Sequence, residues 1–357
     1  MSKTAYLIIS DLHFSYKNLT ARFDYNAEID DVLKTIIDTG LRYKELGYKV
    51  HLIFLGDVAH NSFKSQQSAI YFNNIFVYLS RIFDDMSLLA GNHEFSYYKD
   101  NPFWSLFNTM GSTKVSRLLN KSWQPTGFLQ LANIRDTLED GEVIFHFNHY
   151  GTEINRPKRD KINIGLFHQD IICKAIVEDM TINLGMDIFE SKPVYFDKTN
   201  ILTGYDYCFF GHLHKVYGKW VYTNDDNGYK TTLYYLASLG RTNQTEVQNN
   251  FLERNIPAII INNGKLEKVE DNKFNLKPRE KCVKEDIVAL NQAKYLRTKD
   301  LKNVHKYLPS NDDPIENLKI ALSEDNERLL LFEQYLTDDT IKYEHDILTR
   351  VAELRHV

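Results

Sequence analysis

The sequence predicts an α/β protein built on buried parallel strands. Two observations carry that prediction: short apolar or β-branched runs that stop abruptly at polar residues, and amphipathic helical patterns between them. Continuous apolar runs of this length read as strands buried on both faces, the habit of sheets covered by helices. Their alternation with helices is the mark of an α/β domain.

The first run, "AYLIIS" at 5–10, ends at Asp11. Residues 28–46 then place Ile29, Val32, Leu33, Ile36, Ile37 and Leu41 at helical spacing and stop at Gly47, a residue suited to the position after a helix end. "VHLIFLG" delivers Asp57, and residues 65–83 repeat the helical pattern with Ala69, Phe72, Ile75, Phe76, Leu79, Ile82 and Phe83. "MSLLAG" leads to Asn92, "NIGLF" to His168 and "YDYCFF" to Gly211. After residue 230, "TLYYLAS", "PAIIIN" and "KLEKVE" complete the sheet system, with a hairpin turn at Asn263 and Gly264. From 283 onward the chain turns charged and helical. Two or three short amphipathic helices are expected there, around a linker marked by Pro309, "SNDD" and Pro314. Residues 1–282 therefore read as one domain and 283–357 as a small C-terminal region of reduced cap, linker and helices.

Composition narrows the function. The 357 residues are 43% hydrophobic and 25% charged, as expected of a globular protein. No apolar stretch reaches the roughly 18 residues that span a bilayer, and "AYLIIS" stops too early for a signal-peptide core, so the expected location is the cytoplasm, with no membrane contact. Cys173, Cys208 and Cys282 lie far apart and suggest neither disulfides nor a zinc knuckle. A net charge of -5 argues against a free-standing nucleic-acid binder with a broad basic stripe. The local runs "RPKRDK" and "KPREK" read as solvated faces.

The strand ends carry the chemistry. They deliver Asp11 and His13 in "SDLHF", Asp57 in "GDVAH", Asn92 and His93 in "GNHEF", His168 in "LFHQD", and His212 and His214 in "GHLHK". One strand-end Asp or His is ordinarily a cap or a satisfied core group. Five such ends, three with glycine beside them, are not. Ligands gather at the carboxyl ends of strands in sheets of this kind. The D-x-H and H-x-H spacings put both side chains of each pair on one face of an extended segment. Mixed carboxylate, imidazole and amide donors suit manganese, iron or zinc, and two such ions form a hydrolytic centre with a carboxylate as the natural bridge, here Asp57. His146 and His149 in "FHFNHYG" are rivals to His168.

The ordered set "DLH", "GD", "GNHE", "H" at 168 and "GHLH", spread over residues 11–214, resembles the calcineurin-like metallophosphoesterases. The resemblance implies a four-layer fold of two packed mixed sheets flanked by helices, with a small C-terminal helical region. It implies that Asp11, His13 and His214 hold one divalent ion and Asn92, His168 and His212 the other, with Asp57 shared. It also implies that His93 meets the phosphate and the leaving oxygen, and that Glu94 orients the His93 imidazole.

Within that superfamily, the G-D-x-x-H spacing that ends at His60 is similar to that of SbcD-type nucleases. These are bacterial and phage relatives of the meiotic-recombination-eleven repair protein, in which the extra histidine helps position the DNA phosphate. That resemblance implies a manganese-dependent DNA exonuclease or endonuclease working in repair or recombination as a homodimer. It further implies an SbcC-type SMC-like ATPase partner. The stripe Leu329, Leu330, Leu331, Phe332, Tyr335 and Leu336 is the expected docking face, and the helix 65–83 with "NPFWSLF" at 101–107 the expected dimer region, with packing against the chain's own core the alternative for each. A small-molecule phosphodiesterase or phosphatase is the alternative. Residues 172–203 read as an insertion without an assigned role.

Overall fold

Along β1 (Lys3–Ile9), Tyr6 and Ile8 enter one hydrophobic core while Ala5, Leu7 and Ile9 enter another. A strand with both faces apolar needs cover on both sides. The computed structural model supplies it with a second sheet on one side and helices on the other. It describes residues 3–14, 25–59, 66–95, 107–118, 131–173, 176–179, 194–195, 201–214, 216–224, 228–241 and 252–278. All of these lie within Met1–Lys281, the first of the two units into which the chain divides.

The first sheet has seven strands. β1 pairs in parallel with β2 (Lys49–Phe54), β2 with β3 (Asp85–Leu88), β3 with β5 (Ala132–Arg135), and β5 with β4 (Phe107–Gly111). On its other side β1 pairs antiparallel with β14 (Glu253–Asn262), which forms a hairpin with β15 (Lys265–Asn275). Asn263 and Gly264 connect the two, both at positive φ (51° and 76°), the conformation a two-residue type I′ turn requires.

The second sheet has six strands in the order β12 (Gly218–Thr223), β13 (Lys230–Tyr235), β11 (Tyr207–Phe210), β8 (Ile162–Phe167), β7 (Val143–Asn148) and β6 (Thr137–Asp140). Only its two edge strands run antiparallel to their neighbours. A two-stranded parallel piece joins β9 (Ile171–Ile172) to β10 (Val194–Tyr195), and β9 leads into the segment 172–203 read from sequence as an insertion, which contains β10.

Three cores follow from this layering. The inner faces meet through Tyr6, Ile8, Ile53 and Leu89 against Phe145, Phe147, Leu166 and Phe209. The outer face of the first sheet is covered by α1 (Tyr25–Glu45) and α2 (Gln66–Ile82), whose Ile29, Val32, Ile36, Ile75, Phe76 and Leu79 are buried at the helical spacing read from the sequence. The described part of the α2 stripe, Ile75, Phe76 and Leu79, is core. The outer face of the second sheet carries the third core. Among the described residues it is covered by β9, a helical turn at 176–179 and the loops around them, which bury Ile172, Ile176, Leu202, Tyr205 and Leu213.

One buried ion pair locks α1 to the end of the sheet system. Arg241 donates through Nε and Nη2 to Glu28 at 2.8 and 2.6 Å, and through Nη2 to the carbonyl of Lys277. Removing one partner of such a pair costs about 3–5 kcal/mol, because the other charge stays buried. Cys173 and Cys208 are buried, and Cys282 lies outside the described residues. No helix among the described residues is long and apolar enough to cross a membrane.

Candidate metal centre

The carboxyl ends of β1, β2 and β3 in one sheet and of β8 and β11 in the other bring Asp11, His13, Asp57, Asn92, His93, His168, His212 and His214 into one cluster. The backbone turns sharply where each strand stops. Asp11, His13, Asp57 and His212 all have positive φ, at 49°, 44°, 49° and 77°. Such conformations cost on the order of 1–3 kcal/mol each in non-glycine residues and persist only where the surroundings hold them. Here the hold is a ladder between two loops. His13 N–H donates to Asp57 O at 2.8 Å and Phe14 N–H to Val58 O at 2.7 Å, while the Ser238 hydroxyl donates to Asp11 O at 2.7 Å.

The donor atoms fall into two groups that share one carboxylate. Asp11, His13, Asp57 and His214 form the first, and Asp57, His168 and His212 the second, with all ligand atoms of a group within 4.8 Å of one another. In the first, His13 Nε2 and His214 Nε2 face each other at 2.8 Å. Asp11 Oδ2 is engaged by the Ser10 hydroxyl and by His212 N–H. Asp11 Oδ1 is buried without a hydrogen-bond partner and lies 3.7 and 3.4 Å from the imidazoles of His13 and His214. In the second group, Asp57 Oδ1 is 3.2 Å from His168 Nε2. The amide oxygen of Asn92 is 3.2 Å from His168 Nε2 and turned towards both Asp57 oxygens and His212 Nδ1, at 3.1–3.2 Å. An amide oxygen facing acceptors is out of place as a hydrogen-bond partner and in place as a ligand of a shared cation.

Electrostatics agree with a cation site. Burial opposes ionisation of Asp11, yet the imidazoles of His168, His13 and His214 hold its carboxyl well below the ordinary range. Burial likewise opposes ionisation of Asp57, and His168 and His13 bring it down to about 2. Burial disfavours a charged His168, but Asp57 and Asp11 raise it to about 9. The two buried carboxylates thus concentrate negative charge at the cluster, which divalent cations held by these residues would offset. The orphaned Asp11 oxygen, the shared Asp57 and the mixed donor set all fit two divalent ions.

Glycine is dictated by space. A Cβ on Gly91 would lie 2.4 Å from Asp57 Oδ1 and 2.8 Å from His168 Nε2, and one on Gly211 would lie 2.1 Å from Ser10 Oγ. Gly56, at φ +88°, would also collide with the His168 ring.

His93 sits at the rim, with 27% of its side chain exposed, its Nε2 3.7 Å from Asp57 Oδ2 and its ring edge-on to His13. The hydrogen bonds made by Glu94 differ from the expectation that it orients this imidazole. Its carboxylate accepts backbone N–H groups from Asp57 at 2.9 Å, Val58 at 2.9 Å and Gly91 at 2.7 Å. Burial and the Asp57 charge nevertheless push it up to about 7. Glu94 therefore acts on the ligand loops through their backbone.

Of the three candidate histidines, His168 is the one at the cluster. His146 is paired with Asn163 at 2.9 Å, and His149 accepts Ala90 N–H at Nδ1, 3.0 Å away, behind the Gly91 loop. Sequence reasoning missed that support, and missed Ser10 and Asp170, whose Oδ1 is 3.1 Å from His212 Nε2. The spacing H-x-D at 168–170 was a signal for the last. His60, the stripe at 329–336 and residues 101–106 lie outside the described residues.

The family model of the calcineurin-like phosphoesterases matches residues 5–216, more than half of the 357-residue chain. Comparison with curated protein sequences finds no match. Solved structures similar to this one include a 5'-nucleotidase precursor from Thermus thermophilus, at 12% identity and a TM-score of 0.37. That match covers 86% of this chain and 60% of that one, so the chain spans less than two thirds of that structure's length. With the motifs, the two-sheet fold and the donor cluster in agreement over the matched span, the chain belongs to the calcineurin-like phosphoesterases, metal-dependent hydrolases of phosphate esters.

Proposed function

We propose that the chain is a manganese-dependent DNA nuclease of the SbcD type, acting in repair or recombination with an SMC-like ATPase. The observation that carries this reading is the G-D-x-x-H spacing, in which His60 follows Asp57, the residue shared by the two donor groups, by three positions. The backbone from Asp57 to Val58 is bonded to Glu94, and Ala59 is bridged to Phe14, so the segment leading into His60 is anchored to the metal centre. In the SbcD-type nucleases that this spacing resembles, such a histidine helps position the DNA phosphate.

Asp11, His13 and His214 would hold one ion, Asn92, His168 and His212 the other, and Asp57 both. When bound, two divalent ions supply Lewis-acid stabilisation to the phosphoryl oxygens of an in-line displacement. The chain contributes the rest. His93, exposed at the rim and backed by the Asp57 carboxylate, hydrogen-bonds the phosphate and gives a proton to the leaving alkoxide. Residues 283–357 would serve ATPase docking.

The test incubates the purified protein and Mn2+ with linear duplex DNA and, separately, with bis(p-nitrophenyl) phosphate, each with and without a coiled-coil ATPase. Degradation of DNA is expected, and His60→Ser should keep its metals and its action on the generic ester while DNA degradation falls at least about tenfold, the scale of one lost phosphate contact in the transition state. Turnover of the generic ester with DNA left intact in every mixture would instead favour a small-molecule phosphodiesterase.

A further inference from the structure

We propose that Asp170 is a positioning residue that fixes the His212 imidazole in its metal-ligating form. The two nitrogens of that ring face different partners. Nε2 lies 3.1 Å from Asp170 Oδ1, while Nδ1 lies 3.2 Å from the Asn92 amide at the second donor group. A neutral imidazole carries one proton. A carboxylate at Nε2 draws it there and leaves the Nδ1 lone pair directed at the cluster, the arrangement by which an outer carboxylate orients a ligating histidine.

Both partners are held from behind. His212 N–H donates to Asp11 Oδ2 at 2.9 Å, its φ is +77°, and the Tyr150 ring lies 5.8 Å from its own. On the other side, Gln169 Nε2 donates to His149 O at 3.1 Å, and the Tyr235 hydroxyl donates to Ile171 O at 2.9 Å, so the residues flanking Asp170 are pinned. Asp170 follows His168 by two residues at the end of β8. One short segment thus supplies one ligand of the second ion and the partner that orients another. The assignment rests on the two-metal reading of the centre and is independent of the choice of DNA as substrate.

The experiment compares wild type, Asp170→Asn and Asp170→Ala. Mn2+ uptake is measured by equilibrium dialysis and calorimetry, and the His212 ring by 15N shifts in the metal-free protein. Asp170→Ala is expected to weaken one of two Mn2+ equivalents by about 10–100-fold, to leave the other unchanged, and to turn His212 into a mixture of tautomers. Asp170→Asn, whose amide oxygen still accepts from Nε2–H, should recover most of the affinity. Wild-type affinities for both equivalents in Asp170→Ala, with one unchanged tautomer, would overturn the proposal. Equal loss of both equivalents in the two variants would do the same, since it marks a folding role. Failure of the wild type to take up a second equivalent counts against the two-metal reading itself, and the 15N shifts, read without metal, still decide the tautomer.

Discussion

Glu94 Oε2 accepts the backbone N–H of Asp57 at 2.9 Å and that of Gly91 at 2.7 Å, so one buried carboxylate ties the loop after β2 to the loop after β3. Its Oε1 accepts Val58 N–H as well. Glu94→Gln keeps the shape but replaces one acceptor by a donor that faces N–H groups. Leaving a buried donor unsatisfied costs about 1–3 kcal/mol. The variant should lose that much in urea unfolding of the apo protein and bind both Mn2+ equivalents more weakly. Unchanged stability and affinity would show that the clamp is dispensable.

Gly91 and Gly47 separate space from backbone strain. Gly91→Ala forces a methyl group to within 3 Å of Asp57 and His168 and should cost at least about tenfold in Mn2+ affinity. Gly47, at φ +82° with nothing within 4 Å of a built Cβ, should cost only about 1–2 kcal/mol of stability as alanine, with metal binding intact. Dialysis against Mn2+ and thermal melts of the two variants check this pair of outcomes.

Acid should destabilise the protein through two buried histidines that are not among the ligands. Burial lowers His149 to about 4, and burial also lowers His51 to about 4, with Arg135 adding to it and Asp85 opposing. In the unfolded chain both sit near 6.5, so between pH 6.5 and 4 the unfolded state takes up protons that the folded state refuses. Their contribution is therefore complete above about pH 6.5 and is lost as pH falls towards 4. From pH 7 to pH 5 each should remove on the order of 2 kcal/mol. Glu94, pushed up to about 7 by burial, takes up its proton in the folded state over the same range and offsets part of this loss. The measured quantity is therefore the difference between wild type and His149→Gln in urea titrations at the two pH values, which should equal the His149 share. An equal slope in wild type and variant would contradict the assignment.

The sequence made the five ligand-bearing strand ends legible because each apolar run stops at a residue with ligand chemistry. The stripes of α1 and α2 and the turn at Asn263 and Gly264 were visible for equally local reasons. Strands β4–β7 and β12 were not. β6 and β12 are edge strands with alternating exposure, and β7 was noticed only for its histidines. Contacts such as His149 with Ala90, or Asp170 with His212, depend on the order of strands in two separate sheets, which no local window contains. The backbone bonds of Glu94 were not visible for the same reason. Its neighbour in sequence is His93, but its hydrogen bonds reach back 37 and 36 residues to Asp57 and Val58. The left-handed backbone at Asp11, His13, Asp57 and His212 likewise arises from the assembled site, since most non-glycine residues avoid it.

The central claim is that two divalent ions share Asp57. Equilibrium dialysis of apo wild type, His214→Ala and Asp57→Asn against Mn2+, with bound metal counted by atomic spectroscopy, tests it most directly. Two equivalents are expected in wild type, one in His214→Ala and none held tightly in Asp57→Asn. One equivalent in wild type, or two retained in Asp57→Asn, would contradict it.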